Sequence, residues 1–281
     1  MNWKDCIGLV ILSIFTVQAA DNNRSDQYVT IAILAKDKAH TLPLYLACIE
    51  AQTWPKSNTY LYIRTNNNND ETAEILRNWI VRVGKQYPKI YFDSSDVDEP
   101  VQQFGQHEWT YERFKVLGKI RQDSVDWAYA QNSHYFVVDC DNFVGPDTLE
   151  SMMKTHLPII APFLRCSEEE KRYYSNYHES IDKNGYYQAS VFYYDILDQK
   201  IRGIIEVPVV HCSYFIRYDV LDKICYDDES WRYEYVIFSD SARKQNIPQY
   251  IDNRKIYGYI SFAETKEEFE TERFLNTFCY N

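Results

Sequence analysis

Four short apolar runs alternate with segments of helical periodicity in the first half of this chain, and no other feature restricts the fold as much. The runs are Val29–Leu34, Tyr60–Ile63, Ile90–Phe92 and Tyr135–Asp139. Each is bounded by polar or turn-forming residues, the pattern of strands buried on both faces. Between them, Pro43 opens a helix whose Leu42, Leu46 and Ile49 share a face. Ile75, Leu76, Trp79, Ile80 and Val83 form a 3.6-residue stripe that stops near Tyr87-Pro88, with Asp70 or Thr72 placed to cap it. Tyr111 to Ala130 reads as a long helix carrying Phe114, Leu117, Arg121, Val125 and Ala128. This alternation predicts an α/β domain with a mainly parallel central sheet flanked by helices. In such sheets ligands gather beyond the carboxyl ends of the strands.

The second half is less regular. Ile159–Phe163 is strand-like, and Tyr173–Tyr194 is a tyrosine-rich excursion containing Asn184-Gly185. Gly203–Val210 and Ser213–Ile216 read as strands on either side of His211. A helix follows from about Glu234 to Gln245, then a strand at Gln249–Ile251 and an amphipathic helix over Glu264–Phe278. No Gly/Ser-rich linker interrupts the chain, so residues 21–281 are expected to form one domain of two lobes, about 28–145 and 146–281.

Lys4 precedes an apolar stretch from Ile7 to Val17, followed by Gln18-Ala19-Ala20. This is the pattern of a secretory signal over residues 1–20, too short for a typical membrane span. The expected location is therefore the secretory pathway, in the endoplasmic reticulum lumen or outside the cell, without stable membrane insertion. Asn23-Arg24-Ser25 is then a glycosylation sequon. Cys6 leaves with the leader, and Cys48, Cys140, Cys166, Cys212, Cys225 and Cys279 remain, with no Cys-x-x-Cys spacing that would suggest zinc. A net charge of −11 and a pI near 5.1 argue against general nucleic-acid binding.

At the end of the fourth strand stands Asp139-Cys140-Asp141-Asn142, just before Gly145-Pro146-Asp147. Two carboxylates one residue apart at a strand end can share a hard divalent cation, Mn²⁺ or Mg²⁺, that keeps positions open for phosphates. Glycosyltransferases that use nucleotide sugars hold the donor diphosphate with such an Asp-x-Asp device.

The run from Val29 through Ala35-Lys36-Asp37-Lys38 to Pro43 resembles the start of the amino-terminal domain of procollagen galactosyltransferases, glycosyltransferase family 25, with the cerebral endothelial cell adhesion molecule as a relative. The resemblance continues through Asn68-Asn69-Asp70-Glu71-Thr72, Leu76-Arg77-Asn78-Trp79, Lys119-Ile120-Arg121-Gln122 and Val138 to Asn142. It resumes at Ile160-Ala161-Pro162, Asn184-Gly185-Tyr186-Tyr187 and Val207 to His211, and ends at Tyr257-Gly258-Tyr259. It implies a GT-A fold, a UDP-sugar donor, Mn²⁺, and transfer of galactose to hydroxylysine of collagen-like chains. It also implies a second transferase domain in the family's longer members, and an acidic pair that stands here as Tyr233-Glu234. An adhesion or binding protein without activity is the alternative reading.

On this resemblance Asp139 and Asp141 are the metal and diphosphate ligands, and His211 is a third metal ligand or a core histidine. Asn142 orients a sugar hydroxyl or caps the turn. Asp37, after the first strand, is placed to meet uracil or ribose. Arg121 reaches the donor or forms a buried salt bridge, while Lys119, two residues away, faces elsewhere. Glu234 is the expected general base of an inverting transfer. Trp109, Tyr111 and the Tyr173–Tyr194 cluster are available for stacking on sugar or peptide.

Overall fold

Leu, Ile and Val alternate in the first strand so that Val29, Ile31 and Ile33 face one core and Ala32 the other. Fully burying such a side chain stabilises the fold by about 1.5–3 kcal/mol, so this segment belongs at the centre of a sheet covered on both sides. The structure, a computed structural model, places it there; it describes residues 27–98, 110–166 and 171–272. The first half runs β1 (Val29–Ala35), α1 (Leu42–Glu50), β2 (Thr59–Thr65), α2 (Thr72–Val83), β3 (Lys89–Asp93), α3 (Tyr111–Ala130) and β4 (His134–Val138). It continues with β5 (Asn142–Val144), α4 (Thr148–Met153), β6 (Ile159–Pro162), β7 (Leu164–Cys166), β8 (Tyr177–His178) and α5 (Val191–Leu197). The last elements are β9 (Ile204–Glu206), β10 (Val209–Val210), β11 (Ser213–Ile216), α6 (Glu234–Lys244), β12 (Gln249–Asp252), β13 (Gly258–Ile260) and α7 (Lys266–Glu270).

Among the described residues the main sheet has the order β3-β2-β1-β4-β11-β6-β12-β9. Strands β3, β2, β1 and β4 are parallel neighbours, as are β6 and β12. β11 runs antiparallel between β4 and β6, and β9 closes the far edge antiparallel to β12. One face packs on α1, α2 and α4, and the other on α3, α5 and α6.

The expected strand Gly203–Val210 is divided. β9 pairs with β12 in the main sheet, whereas β10 pairs with β8 in a separate ribbon. Pro208, which lacks an N–H for a ladder, stands between the two pieces. A three-stranded sheet β5-β13-β7 has no counterpart in the sequence reading, because three-residue strands show no periodicity. Its close pairing needs Gly258, where a Cβ would lie 2.1 Å from the Phe143 carbonyl oxygen. α2 ends at Val83 and continues as a single 3₁₀ turn, Gly84–Gln86. Asp70 accepts from the Thr72 amide at 3.0 Å, one residue before the formal cap position, Glu71.

The leader 1–20, the Asn23 sequon, Trp109, Cys279 and the end of the last expected helix lie outside the described residues. No helix among the described residues is long and apolar enough to cross a membrane. Among the described residues Cys48, Cys140, Cys212 and Cys225 are free thiols.

Candidate active site at the carboxyl ends of β1 and β4

The turn that follows β4 is held at each backbone group that could loosen it. The Asn142 amide donates to the Asp139 carbonyl at 2.8 Å, and the Ser261 amide donates to the Asp141 carbonyl at 2.9 Å. The Asp139 amide donates at 3.1 Å to the carbonyl of Cys212. Cys212 has φ of +62°, and the Ser213 amide reaches back to the His211 carbonyl at 2.6 Å. That is a γ-turn of the rare positive-φ kind, strained for a residue with a Cβ. It aims its central carbonyl at the Asp139 amide and so ties β11 to the Asp-x-Asp turn.

Each carboxylate of the turn already faces a cation. Asp139 Oδ1 accepts from Arg121 Nη2 at 2.7 Å, and Asp141 Oδ2 from Lys38 Nζ at 2.8 Å. Arg121 also lies 3.5 Å, through Nε, from Glu234 Oε1. Arg121 is 3% exposed and Glu234 4%. Arg121 Nε and Nη1 and Glu234 Oε2 have no hydrogen-bond partner, so charge rather than aligned bonding holds this pair. Burial pushes the Glu234 carboxyl up to about 7, against the opposing pull of Arg121. Burial also raises Asp139, with Arg121 opposing. Arg121 remains a cation, since its carboxylate neighbours outweigh its own desolvation.

Gly118 makes the approach of α6 to α3 possible. A Cβ there would stand 2.9 Å from the Tyr226 carbonyl oxygen and 3.3 Å from Glu234 Cβ. One turn on, Arg121 on the same helix reaches Glu234 and Asp139. An α/β sheet with paired carboxylates at the switch between β1 and β4, and a buried third carboxyl behind them, narrows the choice of relatives.

The profile of the glycosyltransferase family 25 N-terminal domain matches residues 26–276. The chain belongs to glycosyltransferase family 25. It is similar to human procollagen galactosyltransferase 2, with 33% identity over 244 residues that cover 83% of this chain and 38% of the relative. It is also similar to the human inactive glycosyltransferase 25 family member 3, at 28% identity over 87% of this chain and 42% of that one. The chain thus spans about two fifths of the length of these relatives. Among solved structures, S. aureus TarS 1–349 in complex with UDP-GlcNAc aligns with a TM-score of 0.54 at 12% identity, covering 87% of this chain and 61% of that one. The mannosyltransferase PcManGT from Pyrobaculum calidifontis, in complex with GDP-Man and Mn²⁺, gives 0.52 at 12%, covering 84% and 57%. These likenesses establish the GT-A type of fold.

In this family 25 domain the residues expected from sequence fall into three groups. Asp139, Asp141 and Arg121 line one cleft with Asp37. Glu234 joins them through Arg121. Asp37, at φ of +52°, has both carboxylate oxygens in use: Oδ1 accepts from the Asn69 amide at 2.6 Å, and Oδ2 from Lys36 Nζ at 2.5 Å. Burial alone would raise this carboxyl, but those donors hold it below its usual range. Asp37 thus fastens the β1 loop to the β2–α2 turn, and Lys36 is paired with it. Asn142 is fully buried and donates to Ser213 Oγ at 2.8 Å, which favours a role in pinning the turn over one on a sugar hydroxyl.

His211 does not join the two aspartates as a metal cluster: no group of three His, Cys, Asp or Glu side chains among the described residues could hold an ion. Its Nδ1 faces Cys212 Sγ at 2.9 Å, and its ring packs among His178, Tyr174 and Tyr235. Burial keeps it neutral, the charge of Arg121 adding to the effect. Asp139 Oδ2 and Asp141 Oδ1 carry no hydrogen bond from a described residue and lie in side chains 28% and 22% exposed. Two outward carboxylate oxygens fit a Mn²⁺ or Mg²⁺ ion, which commonly takes one or two carboxylates and leaves its other positions to phosphate and water.

Three contributors were not anticipated: Lys38, Gly118 and Cys212. The Lys36-Asp37-Lys38 cluster was the only sequence signal for the first. Close approach and a positive φ gave none for the others. Of the expected aromatic contacts, Tyr111 packs against Trp231, which is 74% exposed. Tyr173, Tyr187 and Tyr194 are partly exposed.

Proposed function

We propose that this domain transfers a hexosyl group, galactose being the first choice, from a UDP-sugar to a hydroxyl of a protein acceptor, plausibly hydroxylysine in a collagen-like chain. The observation that carries this reading is the Asp139/Asp141 pair at the strand ends, with Arg121 joining Asp139 to the buried Glu234; burial pushes that carboxyl up to about 7. A carboxyl tuned near neutrality is suited to accept a proton at physiological pH. The names of the relatives support the sugar and the acceptor. The complexes of the structural neighbours support a nucleotide-sugar donor and a divalent ion.

In the reaction the acceptor oxygen bonds to the anomeric carbon as the bond from that carbon to UDP breaks, its electron pair leaving with the diphosphate. Glu234 takes the acceptor's proton, and attack from the side opposite UDP inverts the centre. Arg121, poised between Glu234 and Asp139, holds the two carboxyls in register and supplies fixed positive charge. Asp139 and Asp141 would hold Mn²⁺ or Mg²⁺, which when bound neutralises charge on the departing diphosphate. The leader over residues 1–20 would deliver the chain to the endoplasmic reticulum lumen or beyond, with a glycan on Asn23.

Tyr233, where the family pair has an acid, gives some support to a second reading, a binding protein without turnover. Its ring is committed to packing on Phe114 and Tyr186. Glu234→Gln separates the two. The transferase should lose about a hundredfold or more in kcat, with Mn²⁺-dependent UDP binding retained and the acidic limb of its pH–rate profile near 7 abolished. Wild-type protein that binds UDP and Mn²⁺ but releases no UDP with any acceptor would leave the binding reading.

A further inference from the structure

Lys38 has no part in the reaction outlined above, yet it holds one of the two aspartates on which that reaction depends. Its backbone is fixed: the amide donates to Thr72 Oγ1 at 2.7 Å, and the carbonyl accepts from the Thr41 and Leu42 amides at 3.1 and 3.0 Å. These bonds anchor it to the starts of α1 and α2 while its side chain crosses the cleft to Asp141. Lys38 Nζ stands 2.8 Å from Asp141 Oδ2, within ion-pair distance.

A divalent ion that uses Asp141 must contend with this ammonium, because like charges at such range in a partly desolvated cleft repel strongly. The displaced ammonium then needs another anion. Asp37 is committed to Lys36 and Asn69, and Asp139 to Arg121. The cleft is lined by five basic side chains, Lys36, Lys38, Arg64, Arg113 and Arg121, against three carboxylates. Arg64 also lies 3.5 Å from Asp93 and Arg121 3.5 Å from Glu234, so a displaced Lys38 ammonium is left to pair with an incoming diphosphate.

We propose that Lys38 is an exchangeable counter-ion. It neutralises Asp141 in the donor-free protein and passes to the diphosphate of the nucleotide when metal and nucleotide enter together. Metal binding and nucleotide binding are then coupled through one side chain, and each strengthens the other by the same factor. This inference rests on the reading of the cleft as a metal-assisted UDP-sugar site.

The test is a Mn²⁺ titration of the full chain, with free Mn²⁺ counted by electron paramagnetic resonance, in the absence and presence of UDP. Lys38→Met should bind Mn²⁺ alone at least fivefold more tightly than wild type. It should also bind UDP, with Mn²⁺ present, at least tenfold more weakly. Lys38→Arg should restore the wild-type pattern. Lys36→Met removes a charge from the same cleft but not from Asp141; it measures the general electrostatic effect, which Lys38→Met must exceed. Lys38→Gln, a smaller change, must move both affinities in the same direction, so that poor folding of one variant leaves the test standing. Unchanged or weaker Mn²⁺ binding by both neutral variants, beside a wild type that binds UDP with Mn²⁺, overturns the role of Lys38 alone. A wild type that does not bind UDP even with Mn²⁺ overturns the reading of the cleft as well.

Discussion

Two walls that meet at Arg121, one lining the cleft and one packed behind it, manage buried polarity in opposite ways. On the wall built from β1, β4 and α3, carboxylates are paired with cations: Asp37 with Lys36, Asp141 with Lys38, Asp139 with Arg121. The wall built from β8, β10 and the start of α6 is aromatic and neutral. His178 is held down to about 4 by burial, with Nδ1 unpaired, and His211 is neutral beside it with Nε2 unpaired. Tyr174, Tyr187 and Tyr235 surround them. One wall is equipped to meet a charged ligand. The other gives Glu234 the low-dielectric surroundings that keep its carboxyl near neutrality, where a proton can be exchanged. Arg121 is the charged side chain that joins them.

Removing that joint should have the largest effect. Arg121→Met leaves the buried Glu234 and the partly exposed Asp139 without their shared cation, a change that for a buried pair typically destabilises by about 3–5 kcal/mol. Urea denaturation measures it. A loss below about 1 kcal/mol would mean that the two walls are independent.

A smaller effect should follow from separating α3 and α6. Gly118→Ala would on helix propensity alone stabilise by about 1 kcal/mol. The contact at 2.9 Å with the Tyr226 carbonyl oxygen reverses the sign. A net destabilisation of about 1–2 kcal/mol is expected from overpacking, with the acidic limb near pH 7 shifting as Glu234 moves from Arg121. Increased stability would show that the helices can part freely.

The pH dependence of stability tests the contrast most finely. His178 has a folded value of about 4 against an ordinary 6.5, so between pH 7 and 5 the unfolded chain binds more protons there and stability falls with acid. Glu234, at about 7 against 4.5, is protonated first in the folded state, so its contribution rises with acid over the same interval. Each amounts to about 2 kcal/mol. Glu234→Gln should therefore steepen the loss of stability from pH 7 to 5, and His178→Asn should flatten it. Denaturation midpoints at the two pH values read both slopes. Equal slopes in wild type and both variants would remove the distinction between the walls.

Much of the first wall was legible in the residues. Val29–Leu34 and the Tyr111–Ala130 helix were recognisable because periodicity and burial agree there, and α3 has the expected bounds. Asp139 and Asp141 were visible because a strand end followed by Gly145-Pro146 leaves short acidic residues little other reason to be there. The second wall was poorly legible. Its strands are two to four residues long, too short for a period to show, and its tyrosines fit a core as readily as a binding surface.

The sequence by itself determined the alternation of strand and helix, the site's position at the strand ends, and the chemical types available to it. Each of these depends on contacts between near neighbours in the chain. Only the tertiary structure decided that Arg121 bridges Asp139 and Glu234, that Lys38 covers Asp141, and that His211 turns toward His178 rather than the aspartates. These pairings join residues 18 to 113 positions apart. They depend on the close approach at Gly118, the positive-φ turn at Cys212 and the anchoring of Lys38 to the starts of α1 and α2, none of which a local pattern of residue types encodes.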